Sequence, residues 1–344
     1  MLRGCGVLTN GGNRTSTRTA AVEQSRSRLS EARGGQFESQ LRADTAVSAR
    51  YRPAMHTSPP ILLAYQPPWD WQQFHAHYQL RALTGVEQLS AEGYCRSFRI
   101  DGVDGWFSVR PVPAQNALLL RHSPSALACL PALTLRIRRM FDLDAEPLRI
   151  AAHFADDAYL GPSFTRYPHL RLPTAFDPFE QAVRAIVGQQ ITVKAAVTIT
   201  TRLVERLGEP LLDTDPQAPQ RLFPSPAAIA GANLEGIGMP GKRVQCLQHF
   251  AAQIASGALR LDIDEGSQAL VERLCALPGI GPWTAQYIAL RAFGEVDAFP
   301  ASDLGLLKSP LWGSGGISAK QLSARAEAWR PWRAYAAVHL WHSS

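Results

Sequence analysis

The chain predicts two kinds of structure in succession: an α+β N-terminal domain, built as an antiparallel sheet with two helices, followed by an all-α region. Three observations carry this. Alternating apolar and polar runs flank Asp101-Gly102-Val103-Asp104-Gly105, a hairpin signature. From about Pro147 onward the pattern is helical. Within that region, Leu277-Pro278-Gly279-Ile280-Gly281 joins two helical stretches through a turn too short and glycine-rich to be anything but a tight connection. At 344 residues the chain holds more than one domain with ample core.

Residues 1–60 are rich in Arg, Ser, Thr, Ala and Gly and have no sustained apolar period, so a disordered basic leader is expected; a DNA-tethering arm is the alternative. Nine arginines there face four acidic residues, a balance of +5, whereas the remaining 284 residues carry only +1 of the net +6. Any nucleic-acid binding by the folded part would therefore have to come from local arrangement and not from bulk charge.

Residues 61–146 form the expected α+β domain. Strands are predicted at 61–65, 94–100, 106–110 and 117–121, with helices at 69–83, after Pro67-Pro68, and at 124–141. Nothing here suggests chemistry, and Trp69, Trp71 and Trp106 read as core or domain-interface aromatics.

Residues 147–344 form the helical region. A helix over 177–187 opens on an Asp cap with Pro178 in its first turn, stops at Gly188-Gln189-Gln190, and is followed by another over 192–207. A proline-rich loop occupies 209–226. Gly238-Met239-Pro240-Gly241-Lys242-Arg243 starts a further helix, whose Lys242 and Arg243 are either solvated or placed to meet phosphates. Leu270, Val271, Leu274 and Cys275 run a helix into the glycine turn, and Pro282 opens the next. That helix carries Trp283, Tyr287 and Arg291 on one face and Ala285, Ala289 and Ala292 on another. Asp303 stands where a third helix would begin, the place of a capping residue. Pro331 is expected in the first turn of the last helix, which carries Trp332, Tyr335, His339 and Trp341, with Trp332 in the core.

The backbone of Gly279, Ile280 and Gly281, next to a helix N-terminus, has the chemistry of an anion cradle for which a nucleic-acid phosphate is the obvious guest; an ordinary helix–helix turn is the plain alternative. Cys5, Cys95, Cys129, Cys246 and Cys275 are scattered without a CxxC pair, which fits a reducing cytoplasm and argues against a zinc or iron–sulfur site. No membrane-spanning run or secretory signal is present in the sequence, residues 1–20 having no apolar segment.

Leu277-Pro278-Gly279-Ile280-Gly281-Pro282-Trp283-Thr284-Ala285, with an aspartate twenty residues after the tryptophan, resembles the helix–hairpin–helix superfamily of DNA glycosylases, and within it the bacterial DNA-3-methyladenine glycosylase II family. The likeness extends through Tyr65-Gln66-Pro67-Pro68-Trp69-Asp70-Trp71, the stretch Phe179-Glu180-Gln181-Ala182-Val183-Arg184-Ala185-Ile186-Val187-Gly188-Gln189, Leu234-Glu235-Gly236-Ile237-Gly238-Met239-Pro240 and Trp329-Arg330-Pro331-Trp332-Arg333-Ala334-Tyr335. It covers the chain from about residue 61 to the end, which makes Met55 a candidate start.

The resemblance implies hydrolysis of the N-glycosidic bond of alkylated bases in double-stranded DNA by a cytoplasmic monomer. It implies Asp303 as the catalytic carboxylate, Trp283, Tyr287 and Trp341 as the base pocket, and Gly279, Ile280 and Gly281 as the DNA-backbone hairpin. The DNA wedge falls on Gln189 and Gln190. The best-known family pattern has leucine at the second position, and Gln190 is read here as stacking flat into the gap with Ile191 behind it. No cofactor or side-chain metal site is expected, although hairpin carbonyls in this superfamily can hold a monovalent cation. Two other functions stay open: a helix–hairpin–helix protein that grips DNA without chemistry, and a glycosylase/lyase for oxidised bases. Lyase members carry a lysine where this chain has Trp283, which points to a monofunctional enzyme.

Overall fold

The computed structural model describes residues 60–343 apart from positions 214, 216 and 217. The expected leader and Met55 lie outside the described residues, save for Pro60. Five strands, β1 (Ile61–Ala64), β2 (Glu87–Ser90), β3 (Gly93–Ile100), β4 (Val103–Val112) and β5 (Ala117–His122), form one antiparallel sheet in the order β1-β5-β4-β3-β2. The β3–β4 hairpin is tighter than predicted. Ile100 pairs with Val103, and only Asp101 and Gly102 turn the chain, at φ of 50° and 80°. Two successive positive φ values are what a two-residue hairpin demands, and Asp-Gly supplies them.

Helices α1 (Trp71–Gln79) and α2 (Leu130–Met140) bury Phe74, Tyr78, Leu133 and Ile137 against Phe107, Val109, Leu118 and Leu120 of the sheet. Both are shorter than predicted. Asp70 caps α1 by accepting from the Gln72 N–H, and at the far end the Glu87 carboxylate takes the Leu83 N–H, so the helix stops four residues early. The stretch 124–141 divides into a 3-10 segment, Pro124–Cys129, and α2, because Pro131 has no N–H to continue a ladder and fits only a first turn. Trp71 and Trp106 are buried and Trp69 is half-buried against the same core.

Among the described residues eleven α-helices follow: α3 (Pro147–Phe154), α4 (Gly161–Arg166), α5 (Pro178–Val187), α6 (Val193–Leu207), α7 (Pro226–Ala230), α8 (Gly241–Ala255), α9 (Ser267–Cys275), α10 (Pro282–Phe293), α11 (Leu304–Leu307), α12 (Ala319–Ala326) and α13 (Arg333–His342). Their core centres on α10, whose Ala285, Ala289 and Ala292 are fully buried and let it lie close to α5 and α9. The Asp177 and Thr192 side chains cap α5 and α6. Helix α13 starts at Arg333 and not at Pro331. Trp332, at φ −111° and ψ 37°, lies outside the helical region and takes the N-cap position, so the helix begins only after it. Trp332 is half-buried, with His153 edge-on and the Arg149 guanidinium over its ring, so it is not a core residue.

A buried charge cluster joins sheet and helices. Glu180 of α5 accepts from Arg96 of β3 at 2.6 Å and from Arg184 at 2.6 Å, and Arg184 also reaches Glu87 of β2 at 2.6 Å. Tyr94 donates to the other Glu87 oxygen. A second tie is Arg171, which is fully buried and donates to the carbonyls of Gln66, Pro68 and Ala145.

Candidate active site

The turn between α9 and α10 is made by Leu277, Pro278, Gly279, Ile280 and Gly281, and its two glycines differ. Gly279 has φ of +87°, and a Cβ there would meet the Cys246 Sγ at 2.9 Å, so both backbone and packing require glycine. Gly281 has an ordinary φ of −96° and open space around it. Ile280 is buried, pinning the turn to the core. The N–H groups of Gly279 and Gly281 find no acceptor among the described residues, whereas the Ile280 N–H closes the turn onto the Leu277 carbonyl.

On α10 the side chains of Trp283 and Tyr287 lie one turn apart, and their rings stack with centroids 5.3 Å apart and 12° between planes. Trp341 of α13 meets Tyr287 edge-on at 6.3 Å. Three half-buried rings thus come together from helices that are 54 to 58 residues apart in sequence. They line an open cleft of about 1270 Å³, together with Asp303, Gln189 and Gln190.

Asp303 caps α11. Its Oδ1 accepts from the Gly305 N–H at 2.9 Å, the Leu306 N–H at 3.2 Å and the Trp341 Nε1–H at 2.9 Å. Its Oδ2 accepts from the Trp283 Nε1–H at 3.0 Å. All four partners are donors, and they fix the carboxylate against rotation at the positive end of the helix. The expected capping role and the expected position beside the rings both hold, because one side chain does both. What the sequence did not suggest is that two pocket walls, Trp283 and Trp341, are also the donors that hold Asp303. Gly305 was missed too: a Cβ there would lie 3.1 Å from both the Asp303 Oδ1 and the Trp341 Cδ1.

The loop between α5 and α6 faces the hairpin. The Gln189 Nε2 donates to the Gly279 carbonyl at 3.0 Å and to the Thr284 hydroxyl at 3.1 Å, bracing loop and hairpin together. Gln190, at φ of 58°, is exposed on the cleft rim, with Ile191 half-buried behind it. Lys242 is exposed and Arg243 half-buried at the start of α8, and neither lines the cleft. The α+β half also reaches the cleft, through Gln73, His77 and Arg81 of α1 and its end, although the sequence suggested no role for them. Among the described residues no group of His, Cys, Asp or Glu could hold a metal ion, and no helix is long and apolar enough to cross a membrane.

Comparison with known proteins bears on what such a cleft does. Residues 60–177 match the family described as the AlkA N-terminal domain, and residues 183–332 match the HhH-GPD superfamily of base excision DNA repair proteins. The chain is 34% identical to DNA-3-methyladenine glycosylase 2 of Escherichia coli (strain K12), over 82% of this chain and 96% of that protein. It is also 34% identical to a probable bifunctional transcriptional activator/DNA repair enzyme AlkA of Mycobacterium tuberculosis; the match takes in 88% of this chain but only 60% of that relative's length. Among solved structures, a 3-methyladenine DNA-glycosylase from Archaeoglobus fulgidus superposes with a TM-score of 0.70 over 83% of this chain and 97% of that one, at 21% identity, a likeness of fold.

Proposed function

The chain belongs to the DNA-3-methyladenine glycosylase 2 family of base excision DNA repair proteins, and from that membership we propose that it is a monofunctional, monomeric DNA glycosylase that removes alkylated bases from double-stranded DNA. The observation that carries the reading is the single carboxylate, Asp303, held by four N–H donors beside three converging aromatic rings.

A base inside a duplex cannot reach such a cleft, so the nucleotide has to be extruded. Gln190 on the rim is the side chain to fill the gap it leaves, and Gln189 braces that loop against the hairpin. Alkylation at N3 or N7 of a purine gives the base a positive charge. Stacking on the electron-rich faces of Trp283, Tyr287 or Trp341 then adds roughly 0.5–2 kcal/mol. As the glycosidic bond breaks, the bonding pair goes to the base, which leaves neutral, and the sugar becomes oxocarbenium-like. Asp303 stabilises that charge, water adds to C1′, and its proton passes through the carboxylate to solvent. This hydrolysis needs no cofactor. A monovalent cation on the hairpin would find the Leu277, Gly279 and Gly281 carbonyls each already accepting one hydrogen bond.

The free N–H groups of Gly279 and Gly281 suit a phosphate, which positions the duplex without reading its sequence. Gly281→Val should then weaken binding about tenfold on every duplex alike, with the melting temperature unchanged, because the site is open and its φ ordinary. Gel-shift affinities on several sequences check this. A loss confined to one sequence would count against phosphate contact, whereas Gly279→Ala is expected to lower thermal stability.

The enzyme is expected to leave an abasic site and an uncut strand. Trp283 occupies the position of the lyase lysine, and an indole forms no Schiff base. Lys308, five residues beyond Asp303, is exposed and does not line the cleft. Chromatography of methylated duplex DNA after incubation should show free 3-methyladenine and 7-methylguanine, and borohydride should trap no protein–DNA adduct. Tight binding without base release would support the DNA-gripping alternative, and an adduct lost in Lys308→Ala would revive the lyase.

A further inference from the structure

Arg291 continues the α10 face that carries Trp283 and Tyr287, one turn farther from the hairpin. It is only 7% exposed, yet it lines the cleft, with its guanidinium carbon 4.7 Å from the centre of the Trp341 ring and 5.9 Å from that of Tyr287. Its Nη1 donates to the Pro173 carbonyl at 2.7 Å, and its Nε is buried with no hydrogen-bond partner among the described residues. The phenol of Tyr287 hydrogen-bonds it, the guanidinium of Arg81 and the phenol of Tyr78 also act on it, and among the described residues it forms no ion pair with a carboxylate. Among the described residues the Arg81 guanidinium donates to the carbonyl of His77, at 3.0 Å, and to no carboxylate. Burial first, and then Arg81, Arg291 and Arg184, push the His77 imidazole well below its ordinary pKa. Arg171, outside the cleft, is buried against backbone carbonyls, and Arg96 and Arg184 sit among carboxylates. Arg291 instead spends its charge on the pocket.

We propose that Arg291 is the positive pole of the base pocket, opposite the negative pole at Asp303, and that it both assists the departing base and widens the range of bases accepted to include neutral ones. The inference rests on the glycosylase reading. Breaking the glycosidic bond moves electron density from C1′ onto the base, whatever the base's initial charge. A cationic base leaves neutral, and a neutral base leaves as an anion that takes a proton from solvent. A carboxylate near the sugar and a guanidinium near the base both favour that shift. Before the bond breaks, however, the guanidinium repels a cationic base and leaves a neutral one untouched. The rings attract positive charge and Arg291 offsets part of that attraction, so neutral deaminated purines such as hypoxanthine compete with cationic alkylpurines.

The test is single-turnover excision from duplexes identical but for 7-methylguanine or hypoxanthine, comparing the maximal rate divided by the half-saturating enzyme concentration. In Arg291→Met the preference for 7-methylguanine over hypoxanthine should rise about tenfold, through a slower hypoxanthine rate and tighter binding of the cationic base. Arg291→Lys, which restores the charge, should bring the ratio back to within about threefold of wild type. A merely structural role would lower both activities by one factor and leave the ratio unchanged, which overturns the proposal. If the Met variant has no cooperative unfolding transition, Arg291→Gln, which keeps a donor for the Pro173 carbonyl, is judged by the same ratio. Wild-type protein that excises neither base would instead remove the glycosylase reading itself.

Discussion

Asp303→Asn is expected to slow single-turnover excision of 7-methylguanine or hypoxanthine about 100- to 1,000-fold while leaving duplex affinity within a few-fold. The carboxylate's value lies in the transition state, where the sugar carries positive charge, and not in holding the ground-state duplex. An amide also fits the observed partners badly. Its single oxygen can serve the three donors at Oδ1, those of Gly305, Leu306 and Trp341, but its NH₂ then opposes the Trp283 Nε1–H. The charge is lost and one wall of the pocket is released in the same step. An excision rate near wild type would take Asp303 out of its assigned role, and loss of duplex binding in parallel with rate would point to a damaged surface.

The largest effect on stability is expected from Glu180→Gln, about 3–5 kcal/mol in denaturant unfolding. Glu180 is 1% exposed and faces two arginines, Arg96 at 3% exposure and Arg184. Removing its charge leaves Glu87 alone between two guanidinium groups. Burial on its own would raise the Glu180 pKa, but Arg96 and Arg184 outweigh it and hold the carboxyl below its ordinary value of 4.5. A depressed folded-state pKa contributes stability that is present above about pH 4.5 and lost as pH falls through the lower folded value. Wild type should therefore lose stability on acidification below about pH 4.5 more steeply than Glu180→Gln. Replacing Glu180 and Arg96 together by apolar residues should destabilise less than the single change. A single-variant loss under about 1 kcal/mol would mean the cluster behaves like a surface pair.

Much of the molecule was legible because its local chemistry is unambiguous. Asp177 and Pro178, Thr192, Pro282 and Asp303 open their helices as the sequence predicts, since capping is a matter of a few neighbouring atoms. The glycine turn and the aromatic face of α10 follow from spacing alone. What stayed hidden depends on contacts distant in sequence. Strand β2 reads Glu-Gln-Leu-Ser, with no alternation to announce it, and its Glu87 is buried only because Arg96 and Arg184 come to meet it. The same glutamate ends α1 early. Helical spacing put Arg291 beside Tyr287, but nothing local could reveal that Trp341, fifty residues on, packs against its guanidinium. The indole N–H bonds to Asp303 and the presence of His77 and Arg81 in the cleft belong to the same class, made by tertiary packing and invisible to periodicity.

The central claim is that Asp303 stabilises a positively charged sugar in a cleft that takes an extruded nucleotide. Equilibrium binding to two duplexes that cannot be cleaved tests it most directly: one carries a cationic azaribose in place of the abasic sugar, the other a neutral tetrahydrofuran. Wild type should prefer the cation by about 100-fold, and Asp303→Asn should lose that preference while binding the neutral duplex as before. Equal affinity of the wild type for both duplexes, or a preference that survives Asp303→Asn, would contradict the account.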